Sequence, residues 1–106
     1  MLIFVCSPMR GERPYTTAKY NKNMKAAVEY TRRVIEEGHT PITPHIMLKD
    51  ALDDHNPDDR EKGLAISKEL LKCCDEVWVF AENGTSEGMM GEIEYASELG
   101  KQVRYK

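Results

Sequence analysis

The chain has 106 residues, 41% of them hydrophobic and 31% charged, with a formal net charge of −3. That composition and length describe one ordinary globular domain, residues 1–106, able to bury a modest core without staples. The acidic balance, with a pI near 5.6, argues against a basic nucleic-acid-binding face, and no apolar run reaches membrane-spanning length.

Leu2 to Cys6 is a continuous apolar run ending at Ser7-Pro8, as a strand buried on both faces reads. No basic segment precedes it, so it is a first strand rather than a signal peptide. A polar loop from Met9 to about Tyr20 follows. Met24, Ala27, Val28, Thr31, Val34 and Ile35 then recur at helical spacing, with Gly38 as the C-cap. Pro41-Ile42-Thr43-Pro44 reads as a short second strand, and its prolines suit an edge or a strand end. Met47 to Leu52 fits one or two helical turns. Asn56-Pro57-Asp58-Asp59 has the cap, the proline and the first-turn acids of a helix start. That helix is expected to bury Leu64, Leu70, Leu71 and Cys74. Glu76 to Phe80 is a buried strand, Asn83 to Gly88 a glycine-rich loop, and Met89 to Ala96 opens a helix that ends at Gly100. Gln102 to Tyr105 forms a terminal strand.

Strands alternating with helices predict an α/β domain whose parallel sheet of four to five strands carries helices on both faces. Ligands of such sheets bind at the strands' C-terminal ends, so the loops after Cys6, Pro44 and Phe80 should meet on one edge. The three cysteines are odd in number and two are adjacent, Cys73 and Cys74. That suits neither a disulfide framework nor a zinc site, and the expected compartment is a reducing cytoplasm.

The last twenty-odd residues carry the strongest chemical signal. A glycine-rich turn between a strand and a helix leaves backbone N–H groups able to hold an anion. Glu92 falls in the first turn or two of that helix, where the macrodipole favours an ionised carboxylate. A charged carboxylate beside an anion cradle is what glycosyl transfer needs. The plainer alternative has Ser86 or Thr85 capping the helix and Glu92 as a solvated acid. Gly84, Gly88 and Gly91 are not spaced as a dinucleotide fingerprint. The run from Asp53 to Asp59 lacks the glycine and final glutamate of a calcium loop and reads as a solvated loop and cap. His39 and His55 fall in surface turns. His45 either faces the site or is satisfied by backbone, Cys6 has a site-facing option beside its default of simple burial, and Trp78 reads as core.

Taken together, these residues resemble the nucleoside deoxyribosyltransferase superfamily, including the nucleoside 5′-monophosphate N-glycosidases, and still more its small bacterial and phage domains. The resemblance spans nearly the whole chain. It rests on Cys6-Ser7-Pro8-Met9-Arg10-Gly11, Asn23 opening the first long helix, and Pro44-His45. Arg60, Gly63, the stretch from Cys74 to Phe80, Ser86-x-Gly88-Met89, and Glu92 with Ala96 and Gly100 complete it. It implies a flavodoxin- or Rossmann-like three-layer sandwich and a homodimer that completes the site. It implies Glu92, in a G-x-E-x-x-x-A pattern, as the catalytic nucleophile. Ser7, Pro8, Met9, Arg10, Asn23, His45, Ser86, Gly88 and Met89 would bind a nucleoside or nucleotide-like small molecule, with no metal, cofactor, nucleic acid or membrane.

Two departures from the family pattern matter. The transferases carry an aspartate where this chain has Ser86, whereas the monophosphate N-glycosidases carry a serine that contacts the phosphate. Ser86 and Arg10 therefore point to a phosphorylated ligand, with Glu87 and Glu12 opposing it. The family's helper aspartate falls on Ser67, so the usual general acid is missing. Either Asp50, Asp53 or another residue substitutes, or the domain binds a nucleotide-derived molecule without turning it over. Met89, Met90 and Tyr95 are the expected apolar contacts of the dimer.

Overall fold

The computed structural model describes residues 1–10 and 14–106; the family position Gly11, and Glu12 as the acid expected to oppose a phosphate, lie outside the described residues. The elements alternate as expected: β1 (Leu2–Cys6), α1 (Thr17–Glu36), β2 (Thr40–Ile42), α2 (Pro44–Leu48), α3 (Pro57–Cys73), β3 (Glu76–Val79), α4 (Glu87–Glu98) and β4 (Gln102–Tyr105). All strand pairs are parallel, in the order β2-β1-β3-β4. β1 and β3 are central, and the chain leaves β1 toward one neighbour and returns to the other. This is the flavodoxin-type switch point, at which adjacent loops diverge and open a crevice.

Alternation along the central strands builds two cores, one per face. Ile3 and Val5 of β1 join Trp78 and Phe80 against Tyr30 and Val34 of α1. Phe4 and Cys6 join Val77 and Val79 against Leu71 and Cys74 at the α3 end, and Met89 and Ala96 of α4. The sheet is thus covered on both sides, as a three-layer sandwich requires. Tyr30 and Phe80 stack with ring centroids 4.4 Å apart, adding an aromatic pair to the first core.

Several expectations are corrected in detail. α1 begins at Thr17, capped by the Thr16 hydroxyl, which accepts from the Lys19 N–H at 3.1 Å. Asn23 is therefore the seventh helical residue rather than the opening one. Val28 and Ile35 are more than half exposed, because Met24, Ala27, Tyr30 and Val34 form the inward stripe. Pro44 and His45 belong to α2, with Pro44 at its first turn, where a missing N–H costs nothing. α3 buries Ser67 and Leu71, while Leu64 remains 45% exposed. Gly38 follows the last turn of α1 at φ +87°, a left-handed conformation that glycine adopts without a Cβ penalty.

Candidate active site

A cleft of about 510 Å³ lies where the ends of β1 and β3 diverge. Its walls come from the segment after β1 (Met9, Arg10), from α2 (Pro44, His45, Leu48), from Asp53 to His55 and α3, and from the α4 start. The loops after β1, β2 and β3 do converge on one edge. Of the expected ligand-binding residues, Met9, Arg10, His45, Ser86, Gly88, Met89 and Glu92 line this cleft.

Ser7, Pro8 and Asn23 do not line it, which corrects their expected place in its wall. All three are buried, and they shape the wall from behind. The Asn23 side-chain amide donates to the Met9 carbonyl at 3.1 Å. The Ser7 carbonyl accepts from His45 Nε2 at 2.6 Å. Since a carbonyl cannot donate, Nε2 carries the proton and Nδ1 keeps its lone pair. Burial pushes His45 below the usual histidine range, outweighing the opposing pull of that bond. His45 is thus a neutral ring held by backbone that also borders the cleft.

Glu92 is the sixth residue of α4, beyond the first turn where the macrodipole acts most strongly. Desolvation dominates instead and raises its carboxyl to about 7, against the lowering effect of a hydrogen bond from Cys6. The expectation of a firmly ionised carboxylate is corrected accordingly: Glu92 is about half protonated at neutral pH. The Cys6 thiol lies 3.5 Å from Glu92 Oε1 and 3.9 Å from the Met89 carbonyl. Burial and the adjacent carboxylate push that thiol well above its ordinary value, so it stays a donor. Its position at the end of β1 fixes one oxygen of Glu92 from beneath the cleft.

The start of α4 supplies polar groups beside this carboxyl. The Ser86 hydroxyl caps the helix, accepting from the Met89 N–H at 3.2 Å. The N–H groups of Glu87 and Gly88 have no acceptor within the helix. A Cβ at Gly88 would meet nothing nearer than Ser86 Oγ at 3.9 Å, so packing does not require glycine there. Gly84, at φ +92°, makes the turn that brings the loop into α4. Met89 reaches the cleft while remaining 1% exposed.

The opposite wall contains what sequence reasoning missed. Asp54 lies 2.9 Å from Arg10 Nε and 3.3 Å from an Arg60 guanidinium nitrogen. The Arg10 contact is off the hydrogen-bonding axis, so it is an ion pair rather than an aligned bond. Arg10 also stacks over Tyr15 at 4.3 Å. Its expected freedom to bind a phosphate is therefore reduced. The acidic run from Asp53 to Asp59 carries no mark of which carboxylate turns inward, and only its closeness to a cap hints that one does. Asp53 and Asp59 are tied locally, the Asp53 N–H donating to Asp59 at 3.0 Å. No cluster able to hold a metal ion occurs among the described residues. Ser67, which the sequence resemblance sets at the helper position, is buried and borders the cleft; the half-buried Tyr20 and Leu52 border it too.

The model of a domain of unknown function, DUF7768, matches residues 1–106. The chain belongs to that family. No curated protein matches the sequence. Among solved structures, a 2-deoxyribosyltransferase from the psychrotolerant bacterium Bacillus psychrosaccharolyticus is similar to this DUF7768 chain with a TM-score of 0.75. The match has 19% identity and covers 99% of this chain and 71% of that one. The CMP N-glycosidase of Clostridium botulinum is similar with a TM-score of 0.57 and 20% identity, over 99% of this chain and 67% of that one. DUF7768 thus has the nucleoside deoxyribosyltransferase-like fold.

Proposed function

We propose that this domain cleaves or transfers the N-glycosidic bond of a nucleoside or nucleoside monophosphate, with Glu92 as nucleophile. The observation that carries this reading is the Glu92 carboxyl bordering a cleft at the switch point, with Cys6 holding one of its oxygens. Solved neighbours of the same fold include a 2-deoxyribosyltransferase and a CMP N-glycosidase, which supports the substrate class. In the reaction, a Glu92 oxygen bonds to the anomeric carbon while the bond from that carbon to the base breaks. The electron pair leaves with the base nitrogen, which takes a proton from water in the cleft. Water or a second base then attacks the same carbon, and the bond from that carbon to Glu92 breaks and frees the carboxylate. The proton the attacker loses neutralises the hydroxide left by the first step. Only ionised Glu92 can attack, so the rate rises as pH rises through about 7.

One observation favours a second reading, binding without efficient turnover. Ser67 stands at the helper position, and a hydroxyl cannot protonate a departing base as a carboxylic acid does. A domain of this kind would hold a nucleotide-derived molecule and leave it intact.

Release of free base from a panel of nucleosides and their 5′-monophosphates separates the two. Glu92→Gln keeps the size of the side chain but removes the nucleophile, and should lower release over a hundredfold, about 3 kcal/mol of transition-state stabilisation. Wild-type protein that binds a nucleoside yet releases no base above background would sink the catalytic reading and leave the binding one.

A further inference from the structure

We infer that Asp54 makes this cleft select the uncharged nucleoside over its 5′-monophosphate. The inference rests on the proposed nucleoside chemistry of the same cleft and assigns it a substrate class. Two arginines, Arg10 and Arg60, border the cleft, and on sequence Arg10 with Ser86 points to a phosphorylated ligand. Their charge is already spoken for. One carboxylate, Asp54, lies 2.9 Å from Arg10 and 3.3 Å from Arg60. Arg10 Nε and Asp54 Oδ2 are both sealed from solvent, and the Arg10 guanidinium packs on Tyr15 at 4.3 Å. A phosphate would have to displace Asp54 or share these arginines with it, and a carboxylate left buried without its partner is costly.

Among the described residues, the remaining wall offers no surplus cation in compensation. Among the described residues bordering the cleft, three are lysine or arginine and five are aspartate or glutamate. A dianion entering such a cleft meets net repulsion at close range, where a low-dielectric wall screens little. An uncharged sugar meets none of this. Its hydroxyls need only neutral partners, and Ser86, Ser67 and the ring of His45 border the same space. Asp54 is thus a specificity-determining residue that acts through the two arginines it neutralises.

The test is calorimetric binding of a panel of nucleosides and matching 5′-monophosphates to the full chain and to Asp54→Asn, which keeps shape but removes the charge. Wild type should bind a nucleoside at least tenfold more tightly than its monophosphate. In Asp54→Asn the ratio of monophosphate to nucleoside affinity should rise tenfold or more, because the arginines regain unopposed charge. Inorganic phosphate at millimolar concentration should leave nucleoside binding to wild type unaffected, a result that does not depend on the variant folding. A wild-type preference for the monophosphate, competition by inorganic phosphate, or an unmoved ratio in folded Asp54→Asn would each overturn the inference. Binding of neither class would overturn the nucleoside reading itself.

Discussion

At Glu92 two influences on one carboxyl compete. Burial beside the cleft wall favours its neutral form, and the hydrogen bond from Cys6 favours the ionised one. Burial prevails, holding the group at about 7. This has a thermodynamic cost with a definite sign. Below the ordinary carboxyl value of 4.5 both folded and unfolded states are protonated, and the side chain costs nothing. As pH rises from there the unfolded chain ionises freely while the native state resists, so stability falls until the native carboxyl ionises near 7 and then levels off. The full loss is about 3 kcal/mol. Glu92→Gln, which still accepts from Cys6, removes that loss. The variant should match wild type in urea unfolding near pH 4 and exceed it by about 3 kcal/mol near pH 8. An equal difference at both pH values would show that Glu92 is not desolvated in the native protein. A site that carries a destabilising carboxyl is one in which local rules are broken for another end, and this is the place in the chain where that happens most clearly.

At the scale of the elements, α3 shows how local signals position a site. Asn56 accepts from the N–H groups of Asp58 and Asp59 at 2.9 and 3.1 Å, Pro57 takes the first position, and two acids fill the first turn. This start fixes the adjoining Asp53 to His55 segment, and with it Asp54. Asn56→Ala should cost about 1 kcal/mol of stability in urea unfolding, and Asn56→Gly only a few tenths. A negligible loss in both variants would mean that the cap bond contributes little. Such starts, together with strand alternation and the glycine turns, were legible in the sequence, and so were the sheet and the convergence of its loops. The first turns of α1 were not, because Thr17 to Asn21 holds no aliphatic residue larger than Ala18 and so carries no apolar periodicity. Nor was the pairing of Arg10 with Asp54, forty-four positions apart in the sequence. Composition shows that charges exist, but only the folded chain shows which of them meet.

For the molecule as a whole, the working of the site depends on what stands over the cleft. Glu92 borders a crevice at the edge of a sheet with four strands among the described residues, and a glycosyl-enzyme intermediate is better protected where water is partly excluded. A second copy of the chain packed beside α4 would supply that cover. Of the three apolar residues expected at such a contact, Met89 is committed to the core at 1% exposure, Tyr95 is half-buried, and Met90 is 56% exposed. Met90 is therefore the residue on which the dimer proposal turns, since a flexible thioether fits an interface with little loss of order. Sedimentation at micromolar concentration should report about 24 kDa, twice the 12.1 kDa chain, if the contact buries a standard area of about 800 Å² per partner. Met90→Glu should return the protein to a monomer without loss of fold, because the side chain is exposed within one chain. A dimer that survives Met90→Glu would place the contact elsewhere, the exposed Val28 and Ile35 of α1 being the next apolar surface. A wild-type monomer that still binds its ligand would mean that the cleft is complete within a single chain, and that Met9, Tyr15 and Tyr20 at its rim provide the cover instead.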